Sequence, residues 1–117
     1  MSAPPPLCTV LEDLAGWTLD RTSAIPKNQR FTFGQRLDGA TLEALLLAVR
    51  ARYAPAERKR GHLENLNVKL EELRVLWRFV QARRWISQQQ LLHVNGRIDE
   101  AGRMAGGWLR QVAVRAG

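Results

Sequence analysis

Apolar residues recur along the chain at the three-and-four spacing of helices, in four blocks. In the first, Leu7, Val10, Leu11, Leu14 and Trp17 or Thr18 share one face, predicting a helix over residues 7–24. Pro26 ends it, because a residue before proline is pushed out of the helical region. The second block predicts a helix over residues 28–53. Phe33, Leu37, Thr41, Ala44, Leu45 and Ala48 form its main face, and Leu42, Leu46, Val49 and Tyr53 form a second set. Apolar positions spread this broadly predict burial on more than one side.

Pro55 opens a third helix reaching about residue 83, with Leu63, Leu66, Leu70, Leu73, Trp77 and Val80 in a near-heptad stripe. Trp85 and Ile86 make a tight connector. Ser87 then stands three residues before Gln90, the spacing of a capping box that starts a fourth helix. On that helix Ile98, Ala101, Gly102, Ala105, Trp108, Leu109 and Val112 recur at helical spacing, with Gly102, Gly106 and Gly107 in the run. Each helix-interior glycine costs about 1 kcal/mol relative to alanine, so the run predicts a close approach. The expected neighbour is another helix of the same subunit, with a subunit interface second. Four amphipathic helices with short connections and no strand predict an all-α, up-down-up-down four-helix bundle. The bundle spans residues 7–115 as one domain, behind a disordered or extended lead-in over residues 1–6 around Pro4-Pro5-Pro6.

Composition adds three constraints. The chain has 117 residues, which suits one modest core. Its single cysteine, Cys8, excludes an intramolecular disulfide, and there is neither a basic-then-apolar leader nor a membrane-length apolar run. A cytoplasmic location without membrane contact is therefore expected. The net charge of +7, carried by 15 Arg and 3 Lys, points to a polyanionic partner. Arginine's planar fork matches phosphate.

Signals for catalysis are weak. His62 and His93 lie far apart, with Lys59 and Gln90 three residues before them, so neither forms the Glu-x-x-His pair of di-iron bundles. Cys8 has no nearby Cys or His for zinc, and Gly106-Gly107 does not follow a strand as a phosphate loop would. Glu71 and Glu72, adjacent on a helix, point in different directions. The chain is thus expected to be a non-enzyme with no cofactor and no metal.

The charge is concentrated. Residues 50–84 hold ten basic residues (Arg50, Arg52, Arg58, Lys59, Arg60, Lys69, Arg74, Arg78, Arg83, Arg84) and four acidic ones, a surplus of six. Arg50, Arg52, Arg83 and Arg84 sit at helix C-termini, where the macrodipole stabilises cations. Arg58, Lys59 and Arg60 open a helix, where it does not. Arg74 and Arg78 lie four apart; Arg74 is spaced to pair with Glu71, whereas Arg78 has no acid three or four residues away. Two readings stay open for the pair: contact with phosphate or an acidic partner, or inter-helix salt bridges to Asp99 or Glu100.

Three blocks carry a family resemblance: Pro26-Lys-Asn-Gln-Arg-Phe-Thr-Phe-Gly-Gln-Arg36, Leu70-Glu-Glu-Leu-Arg-Val-Leu-Trp-Arg78 and Ile98-Asp-Glu-Ala-Gly-Arg-Met-Ala-Gly-Gly-Trp108. In this order the chain resembles the accessory variability (Avd-like) proteins of diversity-generating retroelements. The resemblance implies a homopentameric barrel of four-helix bundles that binds the element's reverse transcriptase and its template RNA or cDNA. It also implies contact roles for Arg74 and Arg78. A related group, the bundle proteins of 23S ribosomal RNA intervening sequences, is the alternative, as RNA-binding or purely structural oligomers. Its Asn-Ile-Ala-Glu-Gly-like segment is replaced here by Asn28-Gln29-Arg30-Phe31-Thr32.

Overall fold

The computed structural model describes residues 6–116 and the side chains of residues 6–114. The extended lead-in expected for residues 1–6 lies outside them except for Pro6, which is already the first residue of α1. Four helical rods follow one another. α1 is Pro6–Thr22. α2 joins an α-turn, Lys27–Gln29, a π-helical stretch, Arg30–Gly34, and an α-helix, Gln35–Tyr53, without a break. α3 is Ala56–Ala82 and α4 is Gln88–Ala116. No strand occurs among the described residues.

Each rod packs against its chain neighbours, and α1 also packs against α4, so the four close into a ring. The result is a four-helix bundle of 48 × 24 × 24 Å. Leu11, Leu14, Leu37, Leu63, Leu66, Leu73, Trp77, Val80, Val94 and Ile98 fill its centre and are fully buried. The third-helix stripe from Leu63 to Val80 is buried throughout, as its spacing predicts.

The breaks follow local chemistry. α1 stops two residues before the expected end, at Thr22. Ala24 N–H then bonds to Arg21 O at 3.0 Å and Ile25 N–H to Thr22 O at 3.1 Å, a turn that delivers the chain to Pro26. Thr22 Oγ1 donates to Asp38 Oδ1 at 2.8 Å, tying α1 to α2. Burial raises the Asp38 carboxyl above its ordinary range, against the lowering effect of that hydrogen bond. At the start of α4 the capping box forms reciprocally: Gln90 N–H reaches Ser87 Oγ at 3.0 Å, and Ser87 N–H reaches Gln90 Oε1 at 2.9 Å.

Two expectations are corrected. The second apolar set of α2 is not buried: Leu42, Leu46, Val49 and Tyr53 face solvent. They lie opposite Leu37, Thr41, Ala44 and Ala48, and within a single ring of four helices each rod has only one inward stripe. The glycines of α4 are not required by close packing against a neighbouring helix, since a Cβ on each would have room. A Cβ on Gly102 would meet Arg74 Nη2 at 3.9 Å, and those on Gly106 and Gly107 would meet only Arg110, at 3.7 Å. The close-packed small residues are Ala101 and Ala105, both fully buried.

Gly96, also on α4, has nothing within 4 Å of a would-be Cβ. Gly96→Ala is therefore expected to stabilise the subunit by about 0.5–1 kcal/mol, read as a higher melting temperature.

Candidate nucleic-acid interface

α3 has 27 residues and so runs about 40 Å. The basic residues singled out in the sequence fall at its two ends rather than in one patch. Arg58, Lys59 and Arg60 begin it, beside Arg50 and Arg52 at the end of α2. Arg74, Arg78, Arg83 and Arg84 lie towards its far end.

At the first end the charges are largely engaged within the subunit. Arg50 pairs with Glu43 and Arg60 with Glu64, at 2.9 and 3.1 Å. Lys59 Nζ donates to Ala51 O and Arg52 O at 2.8 and 3.0 Å, and lies 6.0 Å from the centre of the Trp108 ring. Lys59 thus neutralises the negative end of α2 rather than burdening the start of α3, a structural role the sequence reading had denied it. Arg52 lies over the Tyr53 ring. Arg58 is exposed and makes no ion pair among the described residues.

At the far end the two central arginines part ways. Arg74 Nε donates to Glu71 Oε1 at 2.9 Å, and Arg74 Nη1 pairs with Asp99 on α4. Of the two readings of the pair, the inter-helix bridge is formed by Arg74. A half-exposed pair of this kind contributes about 0.2–1 kcal/mol. Arg78 is exposed and has no ion pair among the described residues, in keeping with the lack of an acid at helical spacing.

α3 closes with Trp85 N–H bonded to Val80 O at 3.1 Å and Arg84 N–H bonded to Gln81 O at 2.8 Å. This is a Schellman closure with Arg84 in the left-handed position, at φ 62°. Glycine is the usual residue there. Arg83 lies over two rings, 5.7 Å from the centre of Phe79 and 5.6 Å from that of Trp85. Phe33, from the π-helical stretch, stacks on Phe79 at 5.3 Å and meets Trp85 edge-on at 5.7 Å.

These ring contacts bring the start of α2 to the same end, and with it cations outside the 50–84 window. Lys27 and Arg36 are exposed and without ion pairs among the described residues, and Arg30 donates to Ile25 O at 3.3 Å. A groove of about 690 Å³ runs between α2 and α3 here, lined by Thr32, Gln35, Arg36, Lys69, Val75 and Leu76 among others. Sequence reasoning missed Lys27, Arg30 and Arg36 because they precede the window by more than a dozen residues. Their place in the first family block was the available signal.

The bAvd-like family model matches residues 8–112, from the first turn of α1 to near the end of α4. The chain belongs to the bAvd-like family. All three blocks that carry the resemblance lie inside that span. No curated protein and no solved structure matches this bAvd-like chain. Among its described residues there is no cluster of three or more His, Cys, Asp or Glu placed to hold a metal ion. No described helix is long and apolar enough to cross a membrane. Cys8 is buried, and burial pushes its thiol up, away from the reactive thiolate.

Proposed function

We propose that this bAvd-like protein is the non-catalytic accessory subunit of a diversity-generating retroelement. It holds template RNA or cDNA through phosphates and docks the reverse transcriptase. The observation that supports this most is the imbalance between the two ends of α3. At the start of α3 Arg50, Lys59 and Arg60 are engaged within the subunit and Arg58 projects unpaired, whereas at the far end Arg74 is bridged but Arg36, Arg78 and Arg84 all project without acidic partners among the described residues. Uncompensated guanidinium groups on or just beyond rigid helices suit phosphate, which positions a strand without reading its sequence.

Assembly of copies belongs to the same reading. The exposed stripe of Leu42, Leu46, Val49 and Tyr53 is an apolar surface that a monomer has no use for, in keeping with the homopentamer implied by the family.

The test is a salt titration of RNA binding by the purified protein. Affinity is expected to fall steeply and log-linearly with added salt, about 0.7 in the logarithm per phosphate contact on a single strand. An affinity that stays flat between low and moderate salt refutes the phosphate-binding part.

A further inference from the structure

The far end of α3 combines charge with exposed aromatic surface. Val75 or Leu76, then Phe79, then Arg83 follow one another at three-and-four spacing, so they form a single stripe beside the groove between α2 and α3. From Val75 to Arg83 that stripe runs about 12 Å. Phe79 is 49% exposed although one side of its ring is stacked on Phe33. Arg83 is exposed, lies over Phe79 and Trp85 and has no ion pair among the described residues, so its guanidinium is placed beside the rings without being neutralised.

We infer that this ring-and-guanidinium platform takes unpaired bases of a single-stranded nucleic acid, with Arg36, Arg78 and Arg84 on the flanking phosphates. The inference rests on the phosphate-binding reading above and adds to it what the bases do. Two features favour this occupant over a protein surface. Aromatic faces and guanidinium planes are the two surfaces on which splayed bases stack, without regard to sequence. Arg78, next to Phe79 in the chain, and Arg84, next to Arg83, are exposed and without ion pairs among the described residues, and a neutral or basic partner would have to desolvate them without compensation. Paired bases in a duplex have no free face to offer, so the platform discriminates by strandedness.

The experiment compares, at one salt concentration, the binding of an oligothymidylate, an abasic tetrahydrofuran strand of equal length and a duplex of that length. The intact single strand is expected to bind about tenfold more tightly than the abasic one, the effect of one stacked base. Phe79→Leu keeps an apolar side chain and removes the ring. Arg83→Lys keeps the charge and removes the plane. Each is expected to erase most of the preference for bases while leaving abasic-strand affinity unchanged. Arg83 is exposed, so its variant carries the test if Phe79→Leu loses stability.

Equal binding of intact and abasic strands overturns the platform and leaves the phosphate reading standing. Failure of every strand to bind overturns both. A change in molecular mass by light scattering in Phe79→Leu or Arg83→Lys marks the surface as a contact between copies and also overturns the platform.

Discussion

Replacing Arg36, Arg78 and Arg84 together with glutamine is expected to flatten the salt dependence of single-strand binding by about 2 in log–log slope. The figure follows from three phosphate contacts at about 0.7 each. None of the three makes an ion pair among the described residues, so the triple variant is expected to melt close to the parent protein. A matching triple at the other end, Arg50, Lys59 and Arg60 to glutamine, gives the contrast. Those side chains are bonded to Glu43, Glu64 and the terminal carbonyls of α2. Their loss is expected to lower stability and to move the salt slope little. Binding measured by anisotropy over a salt series, with melting curves alongside, checks both. Equal slopes in the two triples would place the strand along the whole of α3 instead of at its far end.

Trp77→Ala carries the largest expected loss of stability, about 3–5 kcal/mol. A single domain of this size has about 5–15 kcal/mol in all, so this variant is expected to lose a large share of its stability. Trp77 is buried on α3, and its ring meets that of Trp17 on α1 edge-on at 5.2 Å. The contact reaches across the ring of helices, so an alanine there opens a cavity that neighbouring side chains cannot close by small shifts. The indole Nε1 has no hydrogen-bond partner among the described residues. Trp77→Phe removes that unpaired group while keeping a ring, and is expected to be much milder. Denaturant unfolding followed by circular dichroism measures both. A mild Trp77→Ala would mean that this part of the core is loosely packed.

The bundle was readable because its inward stripes are strict. Leu63 through Val80 recur at heptad-like spacing with no exception, and Ser87 with Gln90 marks a helix start by side-chain chemistry alone. Burial on two sides of α2 was misread. Periodicity reports that Leu42, Leu46, Val49 and Tyr53 share a face, and nothing local says whether another helix of the same subunit covers it. The π-helical stretch from Arg30 to Gly34 was also hidden, since Phe31 and Phe33, two apart, belong to no common helical face.

The candidate site was half legible. Local spacing identified Arg78 as a cation without an acid, and offered Glu71 to Arg74. The bond from Lys59 to the end of α2, and the stacking of Phe33 on Phe79, join residues that only the antiparallel fold brings together.

If Arg84 holds a phosphate as proposed, it sets folding against binding at one position. Its left-handed backbone, at φ 62°, costs an L-residue about 1–2 kcal/mol that glycine would not incur. Arg84→Gly is therefore expected to raise the melting temperature while weakening strand binding. Directed evolution for heat resistance alone would select that change early, and its fittest clones would be sturdier proteins with a poorer grip. A campaign to stabilise this chain needs a binding screen at every round, or position 84 held fixed.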